Sequence, residues 1–289
     1  MQEMCEGSIV IPAYNEEGVI GRCLDALTNP TSESSMVSPL EIVVVCNGCT
    51  DQTAMIARQF PEVTVIEVPE CSKIAALNAG DETVITLPRI YLDADSELSN
   101  ESARSLLREA ALHRDPIIVS AAVILDTDQC SRLARSFTRS ANRTSFGKFG
   151  VFGRGLYALN GPGRARFSSF PELTNDDFFV ASLFGSDEQV INTDAKVVVR
   201  PPRDVRSLVR VRSRVYYGNR EALLNRSGIR PDHSGWRNVA HVIRRTRSLG
   251  ELCDLMVYVV VNLFAKLAAF RMAHRGSSAI WHRDDSSRI

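Results

Sequence analysis

Over the first hundred residues, short apolar runs alternate with stretches whose apolar positions repeat every three or four residues. The run Ile9-Val-Ile11 predicts a strand that ends in a polar turn at Tyr14-Asn15, with a helix from Glu16 through Leu27. A second unit joins the strand Glu41-Ile-Val-Val-Val45 to a helix over 52–59 through the turn Cys46-Asn-Gly-Cys-Thr-Asp51. A third joins the strand Val63–Val68 to a helix from Lys73 to Gly80, and the apolar run Ile90-Tyr-Leu92 follows. Alternation in units this short predicts an α/β fold with a mostly parallel sheet and helices on both faces. In such sheets ligands bind beyond the carboxyl ends of the strands. Tyr14-Asn-Glu16, Asn47 to Asp51 and Asp93 to Asp95 all fall at such ends, so three polar turns converge on one edge in the manner of a nucleotide site.

The step Asp93-Ala-Asp95 closes the fourth apolar run. Side chains at i and i+2 of a strand face the same way, so two carboxylates are presented together where the strand runs out. Two hard oxygen donors suit a Mg²⁺ or Mn²⁺ that carries a diphosphate, although a solvated acidic turn has the same composition.

The segments Ile11-Pro-Ala-Tyr-Asn-Glu-Glu17, Asn47-Gly-Cys-Thr-Asp51, Lys73 with Ala76-Leu-Asn-Ala-Gly80, and Asp93-Ala-Asp95 occur in one order. Together they resemble the inverting nucleotide-sugar glycosyltransferases of family 2, which have the A-type glycosyltransferase fold. A fifth segment, Asn175-Asp-Asp177 before Phe178-Phe-Val-Ala181, resembles that family's acidic pair, carrying the likeness to about residue 195. The resemblance implies a Rossmann-like sheet with a C-terminal helical extension. It also implies an inverting, metal-dependent transfer of sugar from a nucleoside-diphosphate sugar to a glycan or lipid-linked saccharide, in polysaccharide or glycoconjugate biosynthesis. Carried over residue by residue, Asp95 binds Mg²⁺ or Mn²⁺ and Asp93 is a metal and ribose ligand. Pro12, Tyr14, Glu16, Asn47 and Lys73 contact the donor. Asp177 deprotonates the acceptor hydroxyl, and Asp176 positions sugar or acceptor. Each also has a plainer reading: Lys73 as a solvated charge, Glu16 as a helix-start acid, either Asp of the pair as a helix N-cap. Asn78 and Gly80 read as shaping a helix end.

Two departures from the family pattern matter. Many members carry two carboxylates where this chain has Cys46-Asn47, and the second accepts a hydrogen bond from the nucleobase. Asn47 offers both an acceptor and a donor, which leaves the base open. Residues 210–217 partly resemble the Gln-x-x-Arg-Trp element of processive members. The Gln and Trp are absent, which argues against a processive polymerase, while Arg212 or Arg214 is expected to close over the diphosphate.

Composition adds the organisation. With 289 residues, 44% hydrophobic and 24% charged, the chain can bury one large core or a core with an appendage. The expected division is a catalytic domain over 1–200, comprising a nucleotide half (1–100) and an acceptor half (101–200), followed by a basic helical extension over 201–289. Charge follows that division: the first hundred residues hold 4 Lys and Arg against 16 Asp and Glu, whereas 200–275 hold 16 against 5. A basic tail on an acidic domain suits phosphate or an anionic membrane, and no nucleic-acid motif accompanies it. Residues 251–271 predict an apolar helix carrying one polar stripe, Asp254, Tyr258, Asn262 and Lys266. That helix fits burial on the catalytic domain, a homodimer interface or a peripheral membrane contact. Trp281, in the polar segment beyond Gly276, is a possible anchor for the tail.

Cys46 and Cys49 have C-x-x-C spacing, but no second pair or His cluster completes a zinc site. Seven cysteines, an odd number, and an acidic start at Glu3 and Glu6 predict a cytoplasmic protein, peripheral at most on the inner face of the cell membrane. Two other functions fit less well. A catalytically silent nucleotide-binding scaffold of a membrane glycan-assembly complex would tend to lose Asp93, Asp95 and Asp177. A sugar-phosphate nucleotidyltransferase would want a Gly-rich phosphate loop after the first strand, which Pro12-Ala-Tyr-Asn15 is not.

Overall fold

A computed structural model of the chain describes residues 6–29, 39–143, 151, 153–173, 175–225 and 248–274. Among the described residues eight strands form one sheet: β1 (Ser8–Ala13), β2 (Glu41–Asn47), β3 (Val63–Val68), β4 (Arg89–Leu92), β5 (Ser96–Leu98), β6 (Ile118–Leu125), β7 (Leu156–Leu159) and β8 (Gln189–Val199). Their order is β3-β2-β1-β4-β7-β6-β8-β5. The strands β1 to β4 pair in parallel, as the alternating pattern predicts. Beyond them the sheet is mixed: β7 runs antiparallel to both β4 and β6, β6 and β8 are parallel, and β5 is antiparallel to β8. One sheet therefore takes strands from both 1–100 and 101–200.

The central strands read as unbroken apolar runs because helices cover both faces. Alternate residues of β1 sort accordingly. Ile9, Ile11 and Ala13 pack with Cys23, Leu24 and Leu27 of α1 (Ile20–Thr28), while Val10 packs with Ile74 and Leu77 of α3 (Lys73–Thr83). Helix α3 lies so close to the sheet that a Cβ on Gly80 would stand 2.4 Å from Val10. Gly80 and Asn78 thus play the structural part: the Asn78 amide exchanges two hydrogen bonds with the backbone of Phe170.

Helix α1 begins at Ile20 rather than Glu16, because the Glu16 carbonyl closes a turn by accepting from the N–H groups of Val19 and Ile20. Helix α2 (Thr53–Ala57) is shorter than its apolar pattern, and Asp51 accepts from the Thr53 backbone at its start. Serine side chains cap three other helices: Ser72 at α3, Ser99 at α4 (Asn100–Leu112) and Ser131 at α5 (Arg132–Asn142). Short helices α6 (Gly161–Arg164) and α7 (Asp176–Ala181) follow, then the long α8 (Val205–Asn225) and α9 (Leu249–His274).

A small second core joins α5, α8 and α9 through Phe137, Ala134, Leu208 and Val261. Asp254, Tyr258 and Asn262 of the polar stripe of α9 face inward, while Lys266 is exposed at its edge beside the Tyr216 ring. Asp254 is buried against Arg139, whose Nε and Nη2 donate to it over 2.8 and 2.6 Å, and the Asn262 Oδ1 accepts from Tyr216 over 2.7 Å. Leu255, Val261, Ala265 and Ala269 are buried on the same inward face, and the remaining apolar residues of the helix form a side that points away from the protein. Trp281 lies outside the described residues.

Candidate active site

The carboxyl ends of β1, β2 and β4 gather the polar turns. Asn15 adopts a left-handed backbone (φ 52°), and its side-chain oxygen accepts from the Thr50 N–H at 2.7 Å. The Glu16 N–H donates to Thr53 Oγ1, and Glu17 exchanges contacts with the Asp51–Gln52 turn. Cys49 ties the same two turns together: its thiol donates to the Ala13 carbonyl and accepts from the Asn15 N–H. A hydrogen bond from Cys46, with further help from Asn15 and Thr53, pulls the Cys49 thiol down to about 7. The C-x-x-C pair is thus part of the loop scaffold, and both thiols are free.

A cleft opens beside β4. It is lined by Pro12, Lys73, Leu77, Tyr91, Leu92, Asp93, Gly153 through Tyr157, Asp176 and Asp177. The Lys73 ammonium lies at its centre, 2.8 Å from both Asp93 and Asp176. A cation at the first turn of α3 is opposed by the helix dipole, so these two carboxylates are what hold it there. Burial works against the Lys73 charge, but Asp176 and Asp93 outweigh it and keep the amine firmly protonated. Asp176 is 4% exposed, and its second oxygen accepts from the Tyr157 hydroxyl at 3.2 Å.

Asp177 is partly exposed and accepts from the Gly153 N–H at 2.7 Å. Burial, followed by the adjacent Asp176 charge, raises its carboxyl from 3.8 to about 6, while Lys73 and the Gly153 N–H restrain the rise. The helix N-cap position belongs to Asn175, so the two acids occupy the first turn of α7 instead. The turn Gly153-Arg-Gly155 links the acidic groups. Gly153 bonds Asp177, and the Gly155 carbonyl accepts from the Asp93 N–H at 2.8 Å. Both glycines have positive φ, and a Cβ on Gly155 would meet Ser96 Oγ at 2.2 Å.

Of the residues expected from sequence, Pro12, Lys73, Asp93, Asp176 and Asp177 come together in this cleft. Tyr14, Glu16 and Asn47 stand at the neighbouring strand ends, and Asp95 lies two residues past Asp93 in the turn after β4. Glu16 and Asp95 also share an electrostatic neighbourhood. Together with burial, the charges of Asp95, Glu97, Asp93 and Glu16 raise the enclosed Cys23 thiol. Asn47 is 1% exposed, and neither end of its amide has a hydrogen-bond partner.

Arg212 is placed elsewhere: its guanidinium reaches Asn262 and Tyr216, and neither it nor Arg214 lines the cleft. Arg164 and Arg166 grip Asp81 and Glu188 rather than the cleft. The segment Gly153-Arg-Gly-Leu-Tyr157, which the sequence offers as a strand and turn facing the sugars, lines the cleft, with Arg154 buried against the Ala121 carbonyl. The cleft residue that sequence reasoning did not single out is Tyr91, whose hydroxyl donates to Asp81 and whose only signal in the sequence was the apolar run around it.

Among the described residues, no three His, Cys, Asp or Glu side chains form a closed cation cage. Asp93 and Asp95, both partly exposed, instead make an open donor set. That set fits a Mg²⁺ or Mn²⁺ that takes its other ligands from a diphosphate and water.

Comparison with known proteins agrees with this geometry. The profile of "Glycosyl transferase family 2" matches residues 8–167, more than half of the chain. The chain is 38% identical over 93 residues to the glycosyltransferase AglE of Haloferax volcanii, a match that covers 30% of each protein. It is 26% identical over 116 residues to the glycosyltransferase GlyA of Streptococcus pneumoniae, covering 39% of this chain and 16% of that one. The chain thus spans less than a third of either curated relative. Among solved structures, the mannosyltransferase PcManGT of Pyrobaculum calidifontis, in complex with GDP-Man and Mn²⁺, superposes with a TM-score of 0.56 at 20% identity, over 94% of this chain and 76% of that one. The glucosyl-3-phosphoglycerate synthase of Mycobacterium tuberculosis, with Mn²⁺, UDP and phosphoglyceric acid, gives 0.51 at 22% identity, over 78% and 79%. These likenesses establish the A-type glycosyltransferase fold, and the profile match establishes the family: this chain belongs to glycosyl transferase family 2.

Proposed function

We propose that the protein is an inverting glycosyltransferase that moves a sugar from a nucleoside-diphosphate donor to a glycan or lipid-linked saccharide, in polysaccharide or glycoconjugate assembly. The observation that carries this reading is Asp177. Its carboxyl is raised into the range of a working base, and a buried, ion-paired Asp176 stands beside it. A carboxylate near 6 is largely ionised at neutral pH yet still basic enough to take a proton in the transition state. Displacement at the anomeric carbon by a hydroxyl so activated needs no enzymic nucleophile, and therefore inverts configuration.

The donor's diphosphate would lie at the Asp93–Asp95 turn, with Asp95 as the main metal ligand and Asp93 shared between metal, ribose and Lys73. A bound Mg²⁺ or Mn²⁺ supplies Lewis-acid neutralisation of the charge that develops on the leaving diphosphate. Lys73 adds fixed positive charge beside that group and, through Asp176, holds the acceptor side in register with the donor side. Tyr14, Glu16 and Pro12 would flank the nucleoside. The unpartnered amide of Asn47 supports a nucleobase that both accepts and donates at that point. The PcManGT and glucosyl-3-phosphoglycerate synthase complexes, one with a nucleotide sugar and Mn²⁺ and one with UDP and Mn²⁺, support a metal-borne donor. On this reading residues 1–100 serve the donor and 101–200 the acceptor, and the free thiols support work in the reducing cytoplasm.

The test is a thermal-shift screen with UDP, GDP, CDP, ADP and dTDP, each with and without Mn²⁺. A ligand present at a hundred times its dissociation constant stabilises the folded state by about 2.7 kcal/mol. One nucleotide raising the melting temperature only with Mn²⁺, followed by transfer from its sugars, is the expected result. No shift with any nucleotide would remove the donor assignment, and tight nucleotide binding without transfer would point to a scaffold.

A further inference from the structure

Helix α9 buries Leu255, Val261, Ala265 and Ala269 together with most of its polar positions, and still leaves its outer side apolar. Its polar stripe is occupied by the protein: Asp254 with Arg139, Glu251 with Arg143, Asn262 with Arg212 and Tyr216. Its outer side displays Leu252, Met256, Val259, Leu263, Phe264 and Phe270, each between 43% and 61% exposed. Leu252, Met256, Val259, Leu263 and Phe270 are spaced three, four or seven residues apart and Phe264 adjoins Leu263, so they form one continuous face on a helix of 26 residues, about 39 Å long at 1.5 Å per residue. An exposed apolar surface of that extent on a folded protein marks an interaction face.

The charges on the helix indicate what it meets. Among its described residues, the exposed charged side chains are Lys266 and Arg271, both cationic, while its two acids are turned inward into ion pairs. An 18-residue window of the helix has a mean hydropathy of 1.8, so by length and composition it could cross a bilayer. The inward stripe excludes that arrangement, because spanning would strip Asp254 and Glu251 from their arginines in hydrocarbon. A second copy packed face to face about a two-fold axis would bring cations from both copies to a seam with no exposed acid of the helix to neutralise them. An apolar stripe edged only by cations is complementary to an anionic lipid surface, with the helix lying in the plane of the headgroups.

We infer that α9 is a membrane-docking helix that lies flat on an anionic bilayer. The inference stands on this face and not on the donor or the reaction. Its consequence for the site comes through α8. Arg212 and Tyr216 of α8 hold Asn262 of α9, while the Val215 carbonyl on the same turn accepts from Asn175, the residue before the Asp176–Asp177 pair. One helix therefore separates the docked face from the turn that carries the proposed base. An acceptor delivered on a lipid would meet the protein on that side.

The experiment is flotation of the full chain with vesicles of phosphatidylcholine alone and of phosphatidylcholine with phosphatidylglycerol. The chain is expected to float with the anionic vesicles and to lose affinity as salt is raised. Lys266→Gln with Arg271→Gln should weaken binding by about 30-fold, each surface cation contributing roughly fivefold on an anionic membrane. Phe264→Glu, at an exposed position, should abolish flotation without changing the melting temperature. If that variant fails to fold, the double glutamine variant still decides the question. Failure of the parent chain to float with either vesicle overturns the inference. So does a concentration-dependent dimer in sedimentation velocity that Phe264→Glu dissolves, since the face would then belong to a second copy.

Discussion

Replacing Asp177 with Asn removes the proposed base and leaves its surroundings nearly intact. The carboxyl is held up at about 6, against 3.8 ordinarily, by burial and then by the charge of Asp176. A raised value in the folded state means that folding favours the protonated form. The stability tied to this group is full below the unfolded value of 3.8 and is lost as pH rises through about 6. The ionised carboxylate therefore works against folding at neutral pH, with a ceiling of roughly 3 kcal/mol for two pH units. Partial exposure and coupling to Asp176 bring that down to about 1–2 kcal/mol. The replacing amide keeps an oxygen for the Gly153 N–H and carries no charge. The variant is thus expected to melt about 2–8 °C above the parent at pH 8, from roughly 2–4 °C per kcal/mol for a large domain, and to show no gain near pH 4. Transfer should fall by about 10²–10⁴ while nucleotide binding is kept. Scanning calorimetry at the two pH values, beside steady-state kinetics, reads all three quantities. A variant less stable than the parent at pH 8, or one retaining more than about a tenth of the activity, refutes the reasoning.

Other outcomes follow from the same cleft. Lys73→Met leaves Asp93 and Asp176 without their shared cation and should destabilise by about 2–3 kcal/mol, toward the lower side for breaking a buried pair because Asp93 is 42% exposed. Because Lys73 holds the Asp177 carboxyl down, the acid limb of kcat/KM in that variant should move above its parent value of about 6. Gly155→Ala forces a side chain into left-handed backbone 2.2 Å from Ser96 Oγ and should cost at least about 2 kcal/mol in urea unfolding, with loss of transfer. Asp95→Asn should abolish the Mn²⁺-dependent shift in melting temperature given by the preferred nucleotide.

The parts of this molecule that were legible in the sequence are those set by neighbouring residues. Strand β3 was read to the residue, and β1, β2 and β4 to within one or two, because buried parallel strands are runs of β-branched residues between turns. The strand-end turns were legible for the same reason. The acidic pair at Asp176–Asp177 was found through family likeness and sits in the cleft, yet its environment could not be read. Lys73 joins Asp93 to Asp176, which lies 103 residues after the lysine, and no local pattern encodes such a bridge. Arg164 is a second case: as a cation in a Gly-rich loop it fits an anionic acceptor or solvent equally, but Asp81, 83 residues away, takes it into a buried network with Arg89 and Tyr91. The antiparallel insertion of β7 was missed because β7 has four residues and its partners are distant. Helix α9 was visible as a helix with a polar stripe. Which side faced the protein depended on Arg139 and Arg212, and periodicity alone is blind to that.

The account turns on a single base and direct displacement, and the configuration of the product tests it most directly. With the donor found by thermal shift, proton NMR during turnover should show a newly formed anomeric signal of the configuration opposite to the donor's. That signal should be absent with Asp177→Asn. A first product that keeps the donor's configuration would contradict the account, because retention requires an enzymic nucleophile or a different displacement, and Asp177 would not be the acceptor's base.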